Sequence, residues 1–326
     1  MSQNNKYIGG FFELELPKNN NVIHNNAIAL SNGRACLNLI IKQIKPVKVY
    51  LPFYTCDALF SPLENKNINF EFYAINENFE PINLPKIKSD ELLIYINYFG
   101  IKDTFSNALS NKYQQNVIID NTHQFFHYGY ENSFSFTSAR KHFGVPDGAY
   151  LYGKIDSDLM VDIKENKNIS IVHHIQRLLD EQVIAYQNYL KYEASLTDEI
   201  TYISKLSRRL LQEVNYKKVQ KTRLENYKTL HDGLGKYNLI ALDNSPVQSP
   251  FCYPLLLKNP INRKLFYNNN IFIPTLWGDI LKRDCSTFKQ EVEFTTNILP
   301  LPIDHRYSES EMKEIINFIN EYVYEA

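Results

Sequence analysis

The stretch "SFSFTSARKHFGVPDGAYL", Ser133 to Leu151, sets Arg140, Lys141 and His142 side by side, directly after a run in which small and aromatic residues alternate. "SFSFTS" (133–138) and "GAYLYG" (148–153) read as strands, because their residues suit a pleated and buried surface. The basic triplet therefore lies in the connection between two strands, at the carboxyl end of the first.

Working outward, runs of the same kind occur upstream: "VKVYLPF" (47–53), "NFEFYAI" (69–75), "ELLIYINYFG" (91–100) and "NVIID" (116–120). Between them, "GRACLNLIIKQI" (33–44) and "TCDALFSPLENK" (55–66) carry apolar residues at helical spacing. Strand and helix in alternation predict an α/β protein with a mostly parallel central sheet over about 27–155. Downstream, 168–236 has no proline and long apolar stripes, which predicts helices. "SPFCYPLLL" and "NIFIPTLW" predict further strands. "SESEMKEIINFINEYVY" predicts a helix opened by Ser and Glu in capping-box spacing. The expected organisation is a large domain over 1–236 and a smaller C-terminal α+β subdomain over 237–326.

With 326 residues, 44% of them apolar and 22% charged, the chain can bury a substantial core and is not a disordered polymer. A net charge of -1 supplies no overall basic field, so no nucleic-acid partner is expected. No apolar run approaches the roughly 20 residues that cross a bilayer, and "MSQNNKYIGG" lacks the features of a signal peptide. The expectation is a cytoplasmic protein with no membrane partner. Cys36, Cys56, Cys252 and Cys285 are scattered without a CxxC pair, which argues against a zinc ribbon or a disulfide framework; no metal is expected.

In open α/β sheets ligands bind beyond the carboxyl ends of the strands. Polar clusters stand there: Ser31–Arg34, Tyr54–Asp57, Asn97–Gly100, Asp120–His123 and Ser138–His142. Asp120 is either a turn or helix-cap residue, or a carboxylate facing the cationic ring nitrogen of a cofactor such as pyridoxal phosphate (PLP), with His123 beside the same ring. Lys141 follows Asp120 by 141 − 120 = 21 residues, room for a loop and one strand returning to the same edge. Only a primary amine forms a stable imine with an aldehyde cofactor, whereas Arg140 stays protonated and imidazole makes no stable imine. In a PLP site Lys141 is the anchor; otherwise the triplet is a solvated turn. Gly33, Arg34 and Ala35 open a helix and offer amides to a phosphate, or form an ordinary Asn-Gly turn.

Taken in order, these segments resemble the DegT/StrS-type sugar aminotransferases, PLP enzymes of fold type I (aspartate aminotransferase-like). "ALSNGRACLNLI" is similar to their "SGTAAL" phosphate turn, "VYLPFYTCDAL" to a strand and loop with "P-x-x-T", "INYFG" to "HLYG" and "IIDNTHQ" to "EDAAQ/H". "SFSFTSARKHFGVPDGAYL" resembles the segment that bears their cofactor lysine, and "NNIFIPTLW" and "ILPLPIDHRYSESEMKEII" resemble their C-terminal "GIPT" and "LPIHPSLTEEDVDRVI". "IGGFFELELP", "GRACL", "YTCD" and "RKHFGVPDGAYL" look closer still to a branch found among bacterial surface-polysaccharide genes.

The resemblance implies a PLP-binding large domain and a homodimer with active sites at the subunit interface. It implies transfer of an amino group from a donor such as glutamate to a keto-sugar, nucleotide-linked in this family. It assigns Lys141 as anchor and proton carrier, Asp120 to the ring nitrogen, and His123 to the ring and its phenolic oxygen. Gly33, Arg34 and Ala35, with Ser135 or Ser138, hold the phosphate. Cys56 stands where the family often has a stacking aromatic, so Tyr54 or His123 takes that role. Tyr98, Trp277 and Arg306 are candidates for the sugar-nucleotide pocket, or else ordinary packing and surface charge.

The sequence also departs from the pattern. Counted from "SFSF", Arg140 falls on the usual lysine position, and a one-residue insertion restores Lys141. The family's "NYR" helix, through which a partner chain reaches the phosphate, has no match in 168–195. Relatives with His in place of the lysine run dehydration, which sets His142 in competition and a PLP-dependent sugar dehydratase as a rival reading. A silent relative acting as a binding or regulatory protein would lack the Lys or the Asp, and both are present.

Overall fold

Seven strands form one sheet in the computed structural model, which describes residues 10–242 and 248–324. Apart from Gly10, "MSQNNKYIGG" lies outside the described residues, as do Ile8 and Gly9 of "IGGFFELELP". In chain order the first elements are β1 (Ile28–Leu30), α1 (Gly33–Ile44), β2 (Lys48–Pro52), α2 (Ser61–Glu64), β3 (Asn69–Tyr73), β4 (Glu91–Ile96), α3 (Asp103–Tyr113), β5 (Val117–Asp120), β6 (Phe134–Ser138) and β7 (Ala149–Tyr152). The order across the sheet is β1-β7-β6-β5-β4-β2-β3. The five strands from β3 to β6 are parallel, and β7 and β1 are antiparallel additions at one edge.

Register decides where the polar clusters meet. Ile96 pairs with Asp120, and Asp120 with Phe136, so the carboxyl ends of β4, β5 and β6 lie side by side. Helix α1 follows the expected 33–44 and buries Ala35 through Ile41 against the sheet. "TCDALFSPLENK" does not form one helix. It makes a 3-10 turn at Asp57–Leu59 and then the short α2, because Pro62 in the first turn of α2 starts a helix but cannot continue one.

The remaining elements are α4 (Val172–Leu178), α5 (Gln182–Ser195), α6 (Lys205–Gln212), α7 (Tyr216–Leu234), β8 (Tyr253–Leu255), α8 (Arg263–Asn268), α9 (Lys289–Asn297), β9 (Leu299–Leu301) and α10 (Glu309–Tyr324). The helical reading of 168–236 misses an extended crossing at 196–204. There Ser31 N–H donates to Thr201, and Tyr202 bridges Leu30. Buried Asp147 holds that crossing by accepting from Ser204 N–H (2.9 Å), Ser204 Oγ (2.6 Å) and the Ser207 hydroxyl at the start of α6. "NIFIPTLW" forms no strand: β8 pairs with β9 instead, and Trp277 packs on Tyr54, Tyr98 and His123 in the loops that follow β2, β4 and β5.

A second core joins Tyr227, Leu230 and Leu234 of α7 to Tyr253, Leu255, Leu299, Met312 and Ile319. Helix α7, which precedes the expected boundary at 236, thus packs with the C-terminal elements. Helix α10 opens with the expected capping box, Ser308 N–H donating to Glu311 at 2.8 Å. Among the described residues, no helix is long and apolar enough to cross a membrane.

Candidate active site

Asp120 ends β5 with its carboxyl buried and accepting a hydrogen bond from Thr122 N–H at 2.8 Å. Desolvation outweighs that bond and the nearby Lys141 charge, so the group is pushed up from the ordinary carboxylate range to about 6. The loop after it is tied to β4: Asn97 N–H donates to Asp120 O (3.0 Å), and Asn97 Nδ2 donates to Asn121 Oδ1 (3.0 Å). Gly100 closes the same contact in the left-handed region (φ 75°), where a Cβ would lie 2.3 Å from the His123 carbonyl oxygen. This is the physical requirement behind the glycine of "INYFG".

His123 is buried next to Asp120. Its Nδ1 accepts from Phe99 N–H (3.2 Å), and its ring stacks on Phe251 (4.4 Å between centroids) and lies parallel to Trp277 (5.6 Å). Burial first, and Lys141 second, hold the imidazole down at about 3, so it is neutral with the hydrogen on Nε2.

Lys141 occupies the 3-10 turn Ala139–Lys141 that follows β6 and is exposed in the single chain. Its charge acts on Asp120, His123 and Cys56, which lie at the ends of β5 and β2. Arg140 turns instead to Glu193 on α5, with which it forms an ion pair. His142 is buried against Phe125 and Phe251, its two ring nitrogens without hydrogen-bond partners.

Asn32 caps α1 by accepting from Ala35 N–H at 2.9 Å. The Ala35 amide is therefore already committed, and the Gly33 and Arg34 amides are the open donors of the first turn. Gly33 lies against Phe136, where a Cβ would meet the ring at 3.2 Å. Side chains alternate along β6. Phe136 and Ser138 face α1, whereas Ser133 hydrogen-bonds Ser110 on α3 and shares its face with Ser135. Ser138 is thus on the side of the open amides; Ser135 Oγ is buried on the other face and has no hydrogen-bond partner.

Tyr54, Tyr98 and Trp277 form one aromatic group, with Tyr54 and Tyr98 stacked at 5.5 Å and Trp277 at 4.9 Å from Tyr54. Tyr98 is fully buried, and its hydroxyl donates to the Tyr54 carbonyl (3.0 Å); this is packing around the site. The Tyr54 hydroxyl is buried without a partner. Arg306 is bound through Nε (2.7 Å) and Nη2 (3.0 Å) to Asp304 at the surface. Cys56 lies in the fields of Lys141, Asp120 and Arg34, and burial raises its thiol pKa.

Four contributors escape sequence reading. Phe251 covers His123; Glu193 pairs with Arg140; Arg283 donates to the Phe53 and Thr55 carbonyls (2.7 Å each) and holds the loop bearing Tyr54 and Cys56. Arg223, fully buried on α7, donates to Pro250 O (2.9 Å) and Phe251 O (2.7 Å). Only Arg223 leaves a trace in the sequence, as a lone charge on the stripe Val219, Tyr227, Leu230 and Leu234.

Comparison with solved structures bears on the fold. A DegT/DnrJ/EryC1/StrS aminotransferase from Brucella abortus matches with TM-score 0.62 and 13% identity over 91% of this chain and 85% of that one. Spr1654 from Streptococcus pneumoniae in its PLP form gives 0.65 and 13% over 89% and 85%. The sugar aminotransferase CalS13 from Micromonospora echinospora gives 0.63 and 11% over 90% and 87%. The chain has the type I fold of PLP enzymes. No protein-family model and no curated protein matches it. The ends of β2, β5 and β6 and the first turn of α1 bring Cys56, Asp120, Lys141 and Arg34 within electrostatic reach of one another. Among the described residues no His, Cys, Asp and Glu cluster suits a metal ion.

Proposed function

We propose that the protein is a PLP-dependent aminotransferase that transfers an amino group from an amino-acid donor to a keto-sugar, nucleotide-linked, with glutamate as donor. The observation that carries the reading is the union in one site of a lysine, a buried carboxylate and open helix-start amides. The residues fit the cofactor. Asp120 is a desolvated carboxylate that a protonated ring nitrogen would satisfy, and the Gly33 and Arg34 amides with Ser138 suit a phosphate.

When bound, PLP supplies an aldehyde carbon for the donor nitrogen and a ring that draws off negative charge from the reacting carbon. Lys141 Nζ would be the amine that anchors the cofactor, and would take and return the proton at the substrate carbon. Asp120 would hold the ring nitrogen in its protonated form. Neutral His123, held by Phe99 N–H, orients at the ring without adding charge. Arg34 stands beside the phosphate amides. Trp277 forms the wall toward which the sugar is placed, while fully buried Tyr54 and Tyr98 support that wall from behind. Arg306, engaged with Asp304, is kept for the nucleotide end.

The site is expected to be completed in a homodimer. Helices α4 and α5 expose Val172, Ile175, Leu178, Leu179, Val183, Ile184 and Leu190 on one hairpin beside Arg140, a contiguous apolar character that favours a covered surface. The sequence likeness to a surface-polysaccharide branch supports a cytoplasmic role in amino-sugar synthesis. The test is a visible spectrum of purified protein with PLP, followed by borohydride reduction and peptide mapping. Label on Lys141 is the expected result; label elsewhere, or none, rejects the reading.

A further inference from the structure

We propose that Arg140 is the receptor for the carboxylate of the amino-acid donor, and that Glu193 occupies it between donors. The inference rests on the reading above and adds a residue and an exchange to it. Arg140 precedes Lys141 in the same 3-10 turn. Its side chain is 13% exposed, pairs with Glu193 (29% exposed) and lies over the Tyr192 ring at 5.5 Å. Glu193 also lies in the fields of Lys141 and Arg34, so three cations, from the turn after β6 and the first turn of α1, converge on one carboxylate.

A guanidinium this far from water needs a counter-charge at all times. The proposed reaction presents an anionic amino acid in one half and an uncharged keto-sugar carbon in the other, at the same place. A carboxylate supplied by the protein, exchanged for that of the donor and restored when the sugar enters, keeps Arg140 paired throughout. The planar fork of Arg accepts either carboxylate in the same geometry, which Lys does not. Arg34 is a weaker candidate, because its place on α1 sets it beside the phosphate amides. Helix α5 is held near the turn by Tyr192 OH donating to Pro146 O (3.0 Å), so Glu193 can leave Arg140 without unseating the helix.

The experiment uses PLP-loaded protein and glutarate, a dicarboxylate without an amino group, titrated by calorimetry, beside a donor half-reaction followed at the cofactor band. Arg140→Gln should weaken glutarate and raise the donor KM about tenfold, the scale of one lost charged hydrogen-bond pair. PLP affinity and Lys141 labelling should stay unchanged. Glu193→Gln should tighten glutarate several-fold, and the double variant should behave as Arg140→Gln alone. Unchanged glutarate affinity in Arg140→Gln, or weakening by Glu193→Gln, overturns the proposal and makes the pair a brace, visible as a lower Tm. Wild-type protein that takes no PLP onto Lys141 rejects the functional reading itself. Labelled protein with an indifferent Arg140→Gln rejects only the exchange.

Discussion

Ionising Asp120 is costly while nothing cationic touches it. Its folded pKa near 6 lies above the ordinary carboxylate value, so its contribution to stability is present at low pH and is lost as pH rises through 6. Between pH 4 and 7, protein without cofactor should lose about 2 kcal/mol relative to Asp120→Asn, which keeps an oxygen for Thr122 N–H and cannot ionise. Urea unfolding at several pH values measures this, and added PLP should flatten the difference; curves that run parallel without cofactor would contradict it. At the same scale, Lys141→Ala should abolish covalent PLP capture and leave the far-ultraviolet circular dichroism unchanged. Reduction that still links cofactor to the variant would move the anchor elsewhere.

Two elements position the site from behind. Helix α7 inserts Arg223 under 249–251, and those carbonyls carry Phe251 onto His123. Arg223→Met takes the guanidinium donor from the buried Pro250 carbonyl and the partly buried Phe251 carbonyl and should cost about 3 kcal/mol in urea unfolding, with weaker PLP binding as the His123 stack loosens. A loss below 1 kcal/mol would show that water replaces the guanidinium. The turn after β4 offers a sharper case. Gly100→Ala places a methyl against the His123 carbonyl at positive φ, so destabilisation should exceed about 1 kcal/mol. A neutral outcome by thermal unfolding would mean that the Asp120–His123 loop can shift.

At the scale of the whole molecule, the α4–α5 hairpin groups exposed apolar side chains, with Leu178 81% and Val183 72% exposed. A second copy that buried this surface would account for it, and the hairpin adjoins the turn bearing Arg140 and Lys141 through the Arg140–Glu193 pair. Sedimentation should show a dimer, and Leu178→Glu with Val183→Glu should yield monomers of unchanged circular dichroism. A dimer that survives both charges would place the interface on another face.

The local readings succeeded where short-range chemistry suffices. The β-branched and aromatic runs, the Asn32 cap of α1 and the Ser308–Glu311 box are decided by neighbours in the chain, and so were legible in it. So were the positions of Asp120 at the end of β5 and Lys141 in the turn after β6, because strand ends are read from local pattern. What residues far apart decide was not legible. The crossing at 196–204 depends on Asp147 and Leu30, and the parity that sets Ser138 rather than Ser135 on the α1 face depends on strand register. The separation of Arg140 from Lys141 depends on Glu193, 53 residues away. A sequence determines which groups are present and how they repeat; only packing decides which partner each buried charge finds, since that choice depends on distances closed by the whole core.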